Sequence, residues 1–359
     1  MKLPVIKRGM IQTALGSIFY LISDGRIDTT TTSATTTLTT VDKSPILCFH
    51  MSPRSSDEYL EVLPLLALGG MDNGTTDTND DGAVRTENND GRVVIAFDLP
   101  GYGASENPPR SCTVDEISDA CLAAADSILG TSTGITTNYV TIGSLLGNFF
   151  CVSLASRYPE RIRAGILTNP WYNPGASGMV PTTIGNDDIV TPIPDSFHLK
   201  DDGSHLVGLH SKRSSWLDNE LNLRVVQSEI EYLANRRKRY PKGINIEGGN
   251  DYDFPSAVQT IVERQEYGSS GSSSPCKFLC IRGESCAKLF DAFGLDGTKR
   301  FDEACELFLP AAAGEGDDDD DNILRVATVT GDKSTLNVVN QMPEEFAVLC
   351  NNFFSSHGL

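Results

Sequence analysis

Gly143-Ser144-Leu145-Leu146-Gly147 has the spacing of a tight turn from strand to helix, with a glycine two residues before and two after its centre. Small residues are needed at both places because such a turn brings the two backbones together. A serine at the centre would be presented as a nucleophile for acyl transfer. Here the centre is Leu145, which has no nucleophilic atom. Ser144 is the neighbouring hydroxyl, but moving the turn back by one residue would put Ile142 and Leu146 at the crowded places. A serine also needs a base within hydrogen-bond reach, because its hydroxyl is otherwise protonated and weakly nucleophilic. The chain has 5 histidines, and none lies between His210 and His357. There is no Gly-rich dinucleotide loop, no Walker-type phosphate loop and no metal-ligand cluster, so no cofactor and no metal are expected.

A length of 359 residues suits one large α/β domain, or a core with a lid. The formal charge of −19 argues against nucleic acid or an anionic membrane as partner, since phosphates would be repelled. The expected partner is a small-molecule ligand or substrate. The 9 cysteines include no CxxC, which reads as a reduced, cytoplasmic thiol set, not a disulfide framework or zinc site. No run approaches the apolar length of a bilayer span, and the stretch around Leu15-Gly16 suits a β-hairpin better than a signal peptide.

Short apolar runs alternate with helical patterns. Strands are expected at Pro45–His50, Arg92–Phe97, Tyr139–Gly143, Ala164–Thr168, Lys277–Arg282 and Leu324–Thr330. Helices are expected at Tyr59–Leu68, Val114–Leu129, Gly147–Tyr158, around Phe301–Leu309, and at Pro343–Phe354. Continuous apolar strands separated by helices imply a mostly parallel central sheet covered on both faces. Residues 1–170 and 275–359 would form this core, and the mostly helical 171–274 would cap it. That cap includes helical patterns at Asn219–Tyr240 and near Pro255–Glu266. Polar low-complexity segments at 29–40, 71–91, 268–274 and 314–322 lack apolar periodicity and are expected to be loops outside the core.

Several of these segments resemble the α/β-hydrolase superfamily. His50-Met51-Ser52-Pro53 is similar to the oxyanion loop after the third strand, and Asp98-Leu99-Pro100-Gly101-Tyr102-Gly103 to the loop after the fourth. Tyr158-Pro159-Glu160-Arg161 resembles the turn after the elbow helix, and Met342-Pro343-Glu344-Glu345-Phe346 the start of the last helix. The resemblance implies an α/β-hydrolase fold with a helical cap, and a nucleophile–acid–base triad. Carried over position by position, the triad places hold Leu145, Cys286 and Leu336, with Ser334 the alternative to Leu336. Glu284 is close to the acid's place but turned outward, and Asn169 stands where some relatives keep an alternative acid. The oxyanion donors implied are the backbone N–H groups of Met51 and Leu146. His50 is read as a stabiliser of its loop, and His205 and His210 as cap residues that face the pocket or serve the cap's structure.

All three triad places are vacant together, so the expected function is a degenerate hydrolase binding a small apolar ligand, or a partner, in the former active site. The alternatives are an active hydrolase or lyase with His50, His205 or His210 as base, and an interaction scaffold. The pocket is expected to be bounded by His50, Met51, Leu145 and part of His198–Trp216, with Ser144 and Leu146 beside it.

Overall fold

The structure, a computed structural model, describes residues 3–26, 43–52, 54–69, 91–110, 112–130, 137–170, 200–204, 206–207, 223–228, 230, 252–266, 276–292, 296–309 and 323–359. The four low-complexity segments, all but Gly91, and most of 171–274 lie outside the described residues.

Strands β1 (Ile6–Thr13) and β2 (Gly16–Asp24) form the expected hairpin, with Gly16 at φ 106°. Thr13 Oγ1 donates to the Gly16 carbonyl and accepts the Leu15 N–H, which closes the turn. The remaining strands are β3 (Ile46–Phe49), β4 (Val93–Phe97), β5 (Tyr139–Ser144), β6 (Ile162–Thr168), β7 (Lys277–Gly283) and β8 (Leu324–Val329). They form one sheet of 8 strands in the order β1-β2-β4-β3-β5-β6-β7-β8. The β1–β2 and β2–β4 pairs are antiparallel, and every pair from β4 to β8 is parallel.

Every residue of β3, β4 and β5 is buried, as continuous apolar runs between two helical layers must be. Leu47 and Phe49 of β3 join one core, while Ile46 and Cys48 join the other. The first core is closed by α2 (Val114–Leu129), α3 (Gly147–Arg157), α4 (Phe254–Glu266) and α6 (Gly297–Glu306). The second is closed by α1 (Leu63–Leu68), α7 (Val338–Gln341) and α8 (Pro343–Ser356). Among the described residues no helix is long and apolar enough to cross a membrane. All 9 cysteines are buried free thiols.

Differences from the sequence expectation have local causes. The single helix expected at Tyr59–Leu68 is a 3-10 turn at Ser56–Tyr59 followed by α1, because Pro64 belongs in the first turn of a new helix. Helix α5 (Glu284–Ala292) starts directly from the last residue of β7, with no loop between them. Helix α6 begins earlier than the pattern around Phe301 suggested. Helix α4 lies within the segment expected to form the cap, yet it packs on α3, with Phe254 and Tyr252 against Phe149 at 5.5 and 5.9 Å between rings.

Candidate functional site

The elbow is built as its glycines require. A Cβ on Gly143 would sit 2.5 Å from the Gly147 carbonyl carbon, and one on Gly147 would sit 1.9 Å from the Phe49 carbonyl oxygen. Between them Leu145 has φ 47°, and its N–H donates to the Thr168 carbonyl at 3.1 Å. That conformation costs an L-residue about 1–2 kcal/mol. Only packing on both sides of the turn holds a leucine there. Leu145 and Leu146 are half-buried, whereas Ser144 is fully buried. Ser144 therefore is not the presented residue, and the register centred on Leu145 stands.

Behind the elbow lies a polar cluster that the sequence did not single out. Glu58, on the 3-10 turn, is 4% exposed, and its Oε2 accepts the Met51 N–H at 2.8 Å. Burial pushes the Glu58 carboxyl up to about 7, against the Met51 N–H, the Ser144 hydroxyl and the Arg54 guanidinium, which favour its charged form. The Ser144 hydroxyl lies beside the Glu58 carboxyl and favours its charged form, although the contact falls short of good hydrogen-bond geometry. Arg54 Nη2 donates to Asn337 Oδ1 at 3.2 Å. The expectation that the Met51 N–H faces a ligand oxygen is thus corrected: an internal carboxylate already holds it. Asp57, Glu58 and Glu61 are neighbouring acidic residues, and nothing in the sequence marks the middle one as the one turned inward.

His50 is fixed and neutral. Its Nε2 accepts the Leu99 N–H at 3.0 Å, so Nδ1 carries the proton and donates to the Met51 carbonyl at 2.8 Å. Burial pushes the imidazole down to about 4. With both nitrogens engaged, His50 holds the loop and is not a base. His205 and His210 lie outside the described residues, as does 208–216 of the expected pocket wall. His357 is half-buried, with Nδ1 near the Phe353 carbonyl at 2.7 Å. The adjacent Ser356 meets Arg325 near the start of β8, which puts His357 at the opposite edge of the sheet from the elbow.

At the acid's place, Cys286 is buried in α5, where its N–H donates to the Ser334 carbonyl at 3.0 Å and burial pushes its thiol up to about 12. Glu284 is exposed and pairs with Lys288 at 2.6 Å. At the base's place, Leu336 is half-buried. Ser334 is fully buried; its hydroxyl donates to the Gly331 carbonyl at 2.6 Å and accepts the Ser285 N–H at 3.1 Å. Asn169, at φ 46°, accepts the Gly283 N–H at 2.7 Å and donates to the Thr335 carbonyl at 3.3 Å. The side chains of Asn169 and Ser334 are engaged in hydrogen bonds to the backbone. Among the described residues no group of three or more His, Cys, Asp or Glu is arranged to hold a metal ion.

Residues 223–228 rest on the same corner. Arg224 pairs with Glu61, and Ser228 Oγ lies 3.5 Å from Ser55 Oγ. Val225 and Val226 are buried.

A family model described as alpha/beta hydrolase fold matches residues 45–189. The mouse (Mus musculus) protein named (Lyso)-N-acylphosphatidylethanolamine lipase is 34% identical over 83 residues, which is 23% of this chain and 24% of that protein. The match therefore spans about a quarter of that relative's length. A thermophilic esterase from Thermogutta terrifontis superposes with a TM-score of 0.55 at 14% identity, covering 98% of this chain and 100% of that one. A meta-cleavage product hydrolase from Pseudomonas fluorescens gives 0.56 at 12% identity, with 97% of each chain covered. At these identities the two structures speak for the fold, and with the sheet order, the elbow and the family model's match over residues 45–189, the chain has an α/β-hydrolase fold.

Proposed function

We propose that this chain is a degenerate hydrolase that binds a small apolar ligand in the former active site. The observation that carries this reading is Leu145 at the centre of an intact elbow, in the left-handed conformation that this turn imposes on its central residue. Two half-buried leucines at this turn offer a substrate carbonyl neither a nucleophile nor a side-chain donor. Burying an apolar chain against such a surface yields about 25 cal/mol per Å² removed from water. The mouse relative's name, that of a lipase for an acylated phospholipid, is consistent with a ligand carrying an acyl or alkyl chain.

A second reading, an enzyme with non-triad chemistry, draws on one observation: a carboxyl that titrates near 7 beside a serine. Ser144 is sealed from solvent, which disfavours it as a nucleophile. A fluorophosphonate probe separates the two. No labelling is expected, and stoichiometric modification of Ser144 would establish the second reading in place of the first. Native mass spectrometry of the purified chain should show a co-purified small molecule, lost in Leu145→Trp, which fills the site. Recovery of ligand-free protein that also binds no added alkyl compound would sink the binding reading.

A further inference from the structure

We propose that Cys280 and Cys305 are a redox-sensitive dithiol: a peroxide converts them to a disulfide that staples α6 to β7, and a reducing thiol releases it. The proposal does not rest on what the elbow binds.

The two thiols meet because of register. Residues 278, 280 and 282 share one face of β7, since side chains alternate along a strand. Phe301, Cys305 and Phe308 share one stripe of α6 and the turn after it, at helical spacing. Phe278 packs on Phe308, with 4.9 Å between ring centroids. At the other end the Arg282 guanidinium lies 4.9 Å from the centre of the Phe301 ring, and its Nη1 reaches Asp302 Oδ1 at 3.2 Å. Cys280 stands between these contacts and Cys305 faces it, the two thiols in side-chain hydrogen-bond contact. Both cysteines and the three phenylalanines belong to one core. Cys48, by contrast, bears on Cys151 and Cys350 through charge alone, and Cys151 lies in the other core.

Cys280 is fully buried and Cys305 is 8% exposed, so oxidation requires α6 to lift. Its own N-terminal residues do little to hold it. Asp296, at the cap, has φ 50° and makes no side-chain capping bond. The first turn carries Lys299 and no acidic residue, against the positive end of the helix dipole. Thr298 is tied to the Asp291 carboxylate across exposed hydrogen bonds. Local opening of such a helix admits a small oxidant.

The Cys305 thiolate then attacks one peroxide oxygen and the O–O bond breaks. The released hydroxide takes up a proton and leaves as water, and Cys305 becomes a sulfenic acid. Burial and the neighbouring Cys305 push the Cys280 thiol upward, so it keeps its proton longer and acts second. Its sulfur attacks the sulfenic sulfur, the S–O bond breaks, and the hydroxyl leaves as water with the Cys280 proton. The two sulfurs have together given two electrons to the peroxide. Two thiols and one hydrogen peroxide thus become one disulfide and two waters. A transient bridge of this kind is compatible with a compartment that keeps the thiols reduced.

The test treats the reduced full chain with hydrogen peroxide until Met10, which is 50% exposed, is fully converted to the sulfoxide. Free thiols are then blocked in denaturant and the peptides mapped by mass spectrometry. A disulfide joining Cys280 to Cys305 should dominate, and dithiothreitol should remove it. Hydrogen exchange of the α6 amides should slow by at least about tenfold in the oxidised chain, because the staple suppresses the open state. Cys305→Ser should show neither change, and Cys350→Ser, in the other core, should show both. Should Cys305→Ser fold poorly, the wild-type map and exchange decide alone. Free Cys280 and Cys305 beside fully oxidised Met10 overturn the proposal. So do disulfides spread equally over other cysteines, or a Cys280–Cys305 bridge that leaves exchange in α6 unchanged.

Discussion

The elbow between β5 and α3 and the corner where β7 and β8 end are held in different ways. At the elbow the backbone keeps the path of a nucleophile turn, with Leu145 at φ 47° between two glycines that nothing larger can replace. At the corner the backbone has been tied down by side chains: Asn169 bonds Gly283 and Thr335, and Ser334 bonds Ser285 and Gly331. The difference teaches that the turn's strain is set by the close approach of strand, helix and β3, independent of what its central residue does. At the corner the backbones come as close, a Cβ on Gly283 falling 2.2 Å from the Ser334 carbonyl oxygen, but there side-chain hydrogen bonds from Asn169 and Ser334 add a second set of ties that the elbow lacks.

The sharpest way to break this comparison is at Gly147. Gly147→Ala drives a methyl into the Phe49 carbonyl, and should cost at least about 4 kcal/mol or prevent folding. Gly130→Ala, at φ 63° with nothing within 4 Å of where its methyl would sit, should cost only about 1 kcal/mol. Urea unfolding compares the two. Equal effects would mean that close approach does not govern the elbow.

Glu58 gives the next largest effect. Its carboxyl rises from 4.5 to about 7 on folding, so the folded chain holds this proton more tightly than the unfolded chain. The resulting stabilisation is complete below pH 4.5 and disappears as pH rises through 7, a loss of about 3 kcal/mol from this group. Glu58→Gln should flatten the difference in unfolding free energy between pH 5.5 and 8.5 by a comparable amount. A pH dependence untouched by the substitution would place the titration elsewhere; Asp98, also raised by burial, is the residue to examine next.

The smallest expected effect is none. Leu145→Ser restores the nucleophile atom to a ready turn, yet Cys286 and Leu336 supply neither acid nor base. Hydrolysis of p-nitrophenyl acetate should stay at the wild-type background. Turnover well above it would reveal a base elsewhere in the chain, with His205 and His210 the first to test.

Much of this fold was legible because its signals are local. Strands β3 and β4 are uninterrupted apolar runs, the Thr13–Gly16 turn marks the hairpin, and Pro343 opens α8 where a missing N–H costs nothing. Helix α5 was missed because it follows β7 without a capping residue or a break. At the site, the glycine spacing pointed to the turn where the structure has Leu145 at φ 47°. The direction of the Met51 N–H and the burial of Glu58 depend on how the 3-10 turn folds back under the loop. That is a tertiary matter, which neither periodicity nor spacing encodes.

The 9 buried thiols have a practical consequence. Burial pushes the Cys151 thiol up to about 12 and holds others, such as Cys48 and Cys350, well above their ordinary range. All 9 are hidden from an alkylating reagent in the native state, and those whose thiols are pushed up are slow toward it as well. Each becomes an ordinary thiol when the segment around it opens. Because they lie on β3, α2, α3, β7, α5, α6 and α8, and beside α2 and β7, their alkylation order in time would chart which layers of the molecule separate first.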